Sequence, residues 1–179
     1  MTKNPKQCGA RCDECPLGPN GALQKDEWRP VTGEFHPGAK ILALGEAPRA
    51  EDVLGGRPIM GSAAPEWARF LSSAGWNRTH VDLDNVIACK PPGKEGGAWN
   101  RMEKSLDRLN KKRIAKGQDP LPHPIDCCRP RLESVINQYS NFIAFGKTAT
   151  RVLSGQSSSI HAMRGGPMYI DDNWQWSLE

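Results

Sequence analysis

Six cysteines stand in a chain of 179 residues, and their spacing is the first feature that could do chemistry. Cys12-Asp-Glu-Cys15 puts two thiols three residues apart in a turn-rich stretch, where both can close on one metal centre. The other candidates are distant: Cys89, and the adjacent Cys127 and Cys128. A zinc ribbon would normally supply a second close pair, and neighbouring cysteines are poorly placed to ligate one ion together. A close pair with two distant singles suits a cluster gathered from several parts of a fold. From the residues alone an iron–sulfur cluster, a zinc ion and unligated thiols all stay open.

These residues need elements to position them. Residues up to about 40 read as loop, including the turn-rich Gly18-Pro-Asn-Gly21. Ala39-Lys-Ile-Leu-Ala-Leu-Gly45 is a short apolar run ending in glycine, the pattern of a buried parallel strand. Glu46 to Asp52 is expected to be the loop leaving its carboxyl end. Trp67, Phe70, Leu71 and Ala74 recur at helical spacing before a stop at Gly75. Val81 to Ala88 reads as a second strand, closed by Cys89-Lys-Pro-Pro-Gly93. Helices are expected over Trp99–Ala115 and from about Ile125 to Gln138, then a third strand at Asn141–Gly146 and a helix through Leu153. Met168-Tyr-Ile and Trp174-Gln-Trp are expected to form an extended pair around Asp171-Asp-Asn173. Strands alternating with helices predict an α/β fold, a three-layer α/β/α sandwich around a mainly parallel sheet. The whole of 1–179 reads as one domain, in which 94–126 is a polar, basic excursion.

Composition agrees with a single folded domain: 37% of residues are hydrophobic and 25% charged. No apolar run is long enough to cross a membrane, and the start at Met1 has no signal-like stretch, so a cytoplasmic, nucleoid-associated protein is expected, or a viral one in a host cytoplasm. In that reducing compartment, cysteines in this number favour metal binding over disulfides. The net charge of +4 is compatible with a nucleic-acid partner and does not require one.

The order of several blocks then becomes specific. CxxCPL at Cys12–Leu17, Gly45-Glu-Ala-Pro48 after the first strand, Gly56-Arg-Pro58, and Asn85-Val-Ile-Ala-Cys89-Lys-Pro-Pro92 together resemble the family-4 uracil-DNA glycosylases. Cys128-Arg-Pro-Arg-Leu132 and Phe142-Ile-Ala-Phe-Gly-Lys-Thr-Ala149 are similar to that family's later blocks, so the likeness runs roughly from Cys12 to Gly166. The resemblance implies a uracil-DNA glycosylase fold, DNA as partner, and a 4Fe–4S cluster on Cys12, Cys15, Cys89 and Cys128. Cys8 and Cys127 are then spare. It also implies that Gly45, Glu46, Ala47, Pro48 and Ile59 surround uracil, that Asn85 reads its edge, and that Glu46 and Asn85 are catalytic. Taken without the family, Glu46 is an exposed loop acid and Asn85 a strand-end cap.

Three departures from the family pattern bear on activity. Arg49 stands where the family has glycine, either narrowing the approach of the sugar-phosphate or touching a phosphate itself. Ile59 replaces a phenylalanine that stacks on the base; such stacking is worth ~1–3 kcal/mol, so weaker uracil binding is expected. The His-Pro-Ser motif after the last strand is not found: His36-Pro37 and His123-Pro124 lie before the third strand, and His161 reads as a loop histidine. A fragment of a longer protein, or a shortened relative, is therefore expected. The competing function is an inactive iron–sulfur DNA-binding module of a replication or repair protein such as a DNA polymerase.

The excursion at 94–126 looks like an insertion relative to the family. Its Lys111-Lys-Arg-Ile-Ala115 is similar to the Lys-Arg-Arg-Ile-His loop of the X-type relatives, with Ala115 at the position of the histidine that traps the sugar, so covalent trapping is not expected. The helix is either a phosphate track or a solvated face on which Glu103 and Asp107 offset its charge. Candidate DNA contacts are Arg49, Arg57, Lys90, Lys111, Lys112, Arg113 and Arg164, the last within the family-like Met163-Arg-Gly-Gly166. Trp28, Trp67, Trp76 and Trp99 read as packing residues. A monomer is expected.

Overall fold

The computed structural model describes residues 5–24, 27–93 and 97–155. Three short strands, β1 (Ile41–Gly45), β2 (Asp82–Asn85) and β3 (Asn141–Ala144), form a parallel sheet in the order β2-β1-β3. The chain leaves β1 to one side and returns to the other, so β1 is the point where the winding reverses. In open α/β sheets ligands bind at the carboxyl ends of strands beside such a reversal. The register sets Gly45 directly beside Asn85 there.

Alternation along the strands divides the core. Leu42 and Leu44 face one layer with Ile87, Met102, Leu132 and Leu153, while Ala43 and Leu83 face the other with Trp67 and Leu71. The first layer is covered by α3 (Ala98–Ile114), α4 (Pro124–Ile136) and α5 (Gly146–Ser154), the second by α2 (Ala64–Ser73). This is the expected three-layer α/β/α sandwich. Within α3, Trp99, Met102 and Leu106 recur at helical spacing and are buried, leaving the basic residues Arg108, Lys111 and Lys112 outside. Helix α4 opens on Pro124, with the His123 Nδ1 accepting the Ile125 N–H at 3.2 Å as an N-cap.

Two local expectations change. Residues 86–89 are buried but do not pair as strand: after Asn85 the chain turns away, held by the Val86 N–H on the Gly45 carbonyl at 2.8 Å. The stretch expected as loop contains a short helix, α1 (Ala50–Gly55). Buried Asp52 makes it possible, accepting from the Arg49 N–H at 2.9 Å and from the Met60 N–H at 2.7 Å. One carboxylate thus ties the Gly45–Arg49 turn to the Gly56–Gly61 loop. Before β1, residues 31–34 run antiparallel along the free edge of β2, with Glu34 and Leu83 exchanging both backbone hydrogen bonds. The expected extended pair at 168–176 lies outside the described residues.

Candidate functional site

Two centres lie on the carboxyl side of the sheet. The first is polar. Asn85 is only 5% exposed, its Nδ2 has no hydrogen-bond partner among the described residues, and its Oδ1 lies over Gly45. A Cβ added to Gly45 would come within 2.5 Å of that oxygen, so only glycine admits the Asn85 side chain in this position. A buried amide whose N–H₂ is unspent is costly unless something arrives to accept from it.

Beside it the Glu46–Ala50 turn lines a cavity of about 600 Å³, shared with Lys90, Pro91, Trp99 and Asn100. Glu46 is half-buried, and its Oε2 accepts the Thr148 hydroxyl at 2.5 Å from the first turn of α5. One oxygen fixed in this way leaves Oε1 to meet positive charge or water.

The second centre is sulfur-rich. Cys12, Cys15, Cys89 and Cys128 are all buried; the charge of Cys128 raises the pKa of the other three, and that of Cys127 raises those of Cys12, Cys15 and Cys128. Burial and the neighbouring Cys128 push the Cys12 thiol up to about 11 and the Cys89 thiol up to about 12. Such thiols stay protonated on their own, and a bound metal would be needed to draw them into the thiolate form. Among the described residues no three His, Cys, Asp or Glu side chains close on a point that could hold a single ion, whereas a tetrahedral zinc would draw its sulfurs to within ~4 Å of each other.

Other details agree with sulfur ligands. The Trp28 Nε1–H points at the Cys89 sulfur at 3.3 Å. The guanidinium of buried Arg131 lies against Cys128, with its Nε unpartnered among the described residues. Such N–H donors are what thiolate-bound iron uses to spread its charge. The loop carrying the first pair is wound very tightly: a Cβ on Gly18 would fall 1.8 Å from the Cys12 carbonyl oxygen, and one on Gly21 2.2 Å from that of Pro16. The loop is docked onto α4 through the Arg11 N–H to the Cys127 carbonyl at 2.9 Å.

A family model described as the uracil DNA glycosylase superfamily matches residues 32–174. The chain belongs to that superfamily. It is 36% identical over 98 residues to a type-4 uracil-DNA glycosylase of Pyrobaculum aerophilum, covering 55% of this chain and 47% of that protein. It is 30% identical over 156 residues to the type-4 enzyme of Saccharolobus solfataricus, covering 87% and 62%, and 28% identical over 136 residues to that of Sulfurisphaera tokodaii, covering 75% and 54%. The chain therefore spans about half to three-fifths of the length of these relatives.

Within this superfamily fold the expected site residues fall into three groups. Gly45, Glu46, Ala47, Pro48 and Asn85 gather at the carboxyl ends of β1 and β2, with Arg49 and Lys90 on the cavity rim. Ile59 is set apart: its side chain packs against the Trp67–Leu71 layer, while the cavity itself is lined by Glu46–Ala50 and not by Ile59, Gly45 or Asn85. Its φ of 54° is a strained conformation for a β-branched residue. Arg78 fixes it by donating to the Ile59 carbonyl at 3.2 Å and to that of Pro58, while gripping Glu34 with its other side. Arg57 is exposed on that loop, bonded to the Met60 sulfur at 2.9 Å.

The third group is the basic insertion. Lys111 and Lys112 are exposed at the end of α3, but the Arg113 Nε–H donates to the Asp119 carbonyl at 2.8 Å and helps to close the helix. Arg164 lies outside the described residues.

Several contributors were not anticipated. Cys127, expected to be spare, is buried and shares a hydrogen bond with Cys15, which pulls the Cys127 thiol down and pushes the Cys15 thiol up. Trp28 and Trp99, expected only to pack, respectively donate to Cys89 and line the cavity. Arg131 and Thr148 stood inside the blocks Cys128–Leu132 and Phe142–Ala149 with no role expected of them, and Asp84 stood just before the block that begins at Asn85. The one signal was the spacing of Arg131, three residues beyond Cys128 and on the same helical face.

Proposed function

We propose that this chain is a uracil-DNA glycosylase, which hydrolyses the N-glycosidic bond of deoxyuridine in DNA, releasing uracil and leaving an abasic site. The observation that carries the reading is the unspent amide of buried Asn85, held over Gly45 beside the Glu46 turn and its cavity. An amide both donates and accepts, as the edge of uracil requires once the base has left the stack. Water adds to C1′ while the electron pair of the C1′–N1 bond departs with the base. Donors at the base stabilise that pair, and the Glu46 carboxylate steadies the cationic sugar or orients the water.

Cys12, Cys15, Cys89 and Cys128 would hold a 4Fe–4S cluster, whose contribution is to fold the amino-terminal loop against α4 and not to react. Arg49, Arg57, Lys90, Lys111 and Lys112 would meet phosphates, with Arg113 and Arg164 at the edges of that surface. Ile59 would act from behind the pocket, holding the shape of its loop.

The test is excision from uracil-containing single- and double-stranded oligonucleotides by anaerobically purified, iron-loaded protein. Strand scission at the abasic site after alkali supports the glycosylase. Iron-loaded protein that binds the DNA and leaves every uracil in place sinks it in favour of a binding module.

Thr148→Val should lower the excision rate roughly tenfold, because it frees a carboxylate held by one charge-assisted hydrogen bond. Substrate affinity and melting temperature should stay put, and an unchanged rate would show that Glu46 needs no anchor. Replacing Lys111 and Lys112 together with alanine should flatten the dependence of log affinity on log salt, by about 0.9 for each phosphate that the two lysines neutralise. An unaltered slope would mark α3 as a solvated face only.

A further inference from the structure

We infer that Arg131 and Asp84 are positioning residues for Asn85, tying the base-reading amide to the cysteine-bearing helix; this rests on the glycosylase reading above. The pair is 2% and 1% exposed, deeper than Asn85 itself. One guanidinium nitrogen meets the Asp84 Oδ2 at 2.6 Å. Another donates to the Asn85 carbonyl at 2.6 Å and, more weakly, to the Val86 carbonyl at 3.4 Å. The second Asp84 oxygen, Oδ1, accepts the Asn85 N–H at 2.7 Å. Both polar groups of the Asn85 backbone therefore end on this one ion pair.

The location explains why the backbone needs such holding. Asn85 is the last residue of β2, and beyond it the chain leaves the sheet. A strand end gets ladder bonds from one side only, yet the Asn85 Oδ1 lies over Gly45, where even an added Cβ would come within 2.5 Å of it. Arg131 supplies the missing restraint from α4, where Cys128 lies three residues earlier on the same face. Lysine could not do the same, because a single ammonium lacks the planar fork that spans a carboxylate and two carbonyls. As a stabilising device alone the pair would be a poor choice, since buried ion pairs are often matched or bettered by apolar side chains of similar volume.

An apolar replacement is therefore the informative experiment. Asp84→Leu with Arg131→Met removes both tethers without leaving a lone buried charge, and Arg131→Lys is made in parallel in case the apolar pair does not fold. Each change is placed in wild-type and in Asn85→Ala protein, with iron content and melting temperature recorded for every variant. Excision rate is measured alongside the binding preference for uracil- over cytosine-containing oligonucleotide. Coupled residues should show it: excision and preference fall roughly tenfold to a hundredfold in the wild-type background and hardly change once Asn85 is gone.

Equal losses in both backgrounds would mean a general structural role and overturn the inference while the glycosylase reading stands. Wild-type protein showing neither excision nor a uracil preference overturns both.

Discussion

Asn85→Ala should lower uracil excision by a factor of about 10²–10³ while leaving the melting temperature nearly unchanged. The size follows from where the amide sits. Its Nδ2 is buried and bonded to none of the described residues, so the fold gains no hydrogen bond from it there. Removing a polar group that the folded chain leaves unsatisfied costs little stability and can return some. The substrate, by contrast, loses a donor in a water-excluded site, where such a donor has its largest effect on developing charge.

Gly45→Ala is the companion variant. Its methyl would sit 2.5 Å from the Asn85 oxygen and displace the side chain without changing its chemistry. Both variants should lose excision, and both should keep their affinity for uracil-free DNA, which depends on the phosphates. A rate within threefold of wild type in Asn85→Ala would remove Asn85 from the reaction. A parallel fall in affinity for all DNA would mean the substitution had damaged the surface instead.

The sheet was readable because its strands are short apolar runs with a glycine or a turn at the end, and Leu42, Ala43 and Leu44 need no partner to declare themselves buried. The helices on its faces were readable from spacing, as with Trp99, Met102 and Leu106. The meeting of two ordered blocks was readable too, since Gly45–Pro48 and Asn85–Pro92 follow the ends of adjacent strands and the register sets Gly45 beside Asn85.

What stayed hidden was long-range pairing. Asp84 and Arg131 lie 47 positions apart, and each alone reads as a surface charge. Thr148 and Glu46 are 102 apart. Periodicity reports which face of an element is apolar, and is silent on which polar residue crosses the layer to meet it. Ile59 shows the converse difficulty. Its position in the Gly56–Gly61 block suggested a pocket wall, but a φ of 54° set by Arg78 turns its side chain into the opposite layer.

Cys89→Ala or Cys128→Ala should produce the largest loss of stability: colourless protein, iron and sulfide near zero, and a melting point lower by on the order of 10 °C, the equivalent of about 3–5 kcal/mol at this chain length. The amino-terminal segment explains the magnitude. Residues 5–24 contain no helix beyond the single 3-10 turn at Pro5–Cys8 and no paired strand. They are held by turn hydrogen bonds, the Arg11 N–H on the Cys127 carbonyl and the burial of Leu17 and Leu23. Without a metal group, three or four thiols pushed towards the protonated form would occupy the same space with only weak hydrogen bonds among them.

Limited proteolysis should therefore cut each variant within 5–24 and spare the sheet. Cys127→Ala separates ligand from neighbour. If Cys128 is the fourth ligand, Cys127→Ala keeps its iron and colour, and Cys15 loses only a hydrogen-bonding partner. Full iron in Cys128→Ala and none in Cys127→Ala would move the ligand one residue along α4 and overturn the assignment. Zinc in stoichiometric amount in the wild type, with no visible absorption from anaerobic preparations, would replace the cluster by a single ion and require the four sulfurs to close further than they do here.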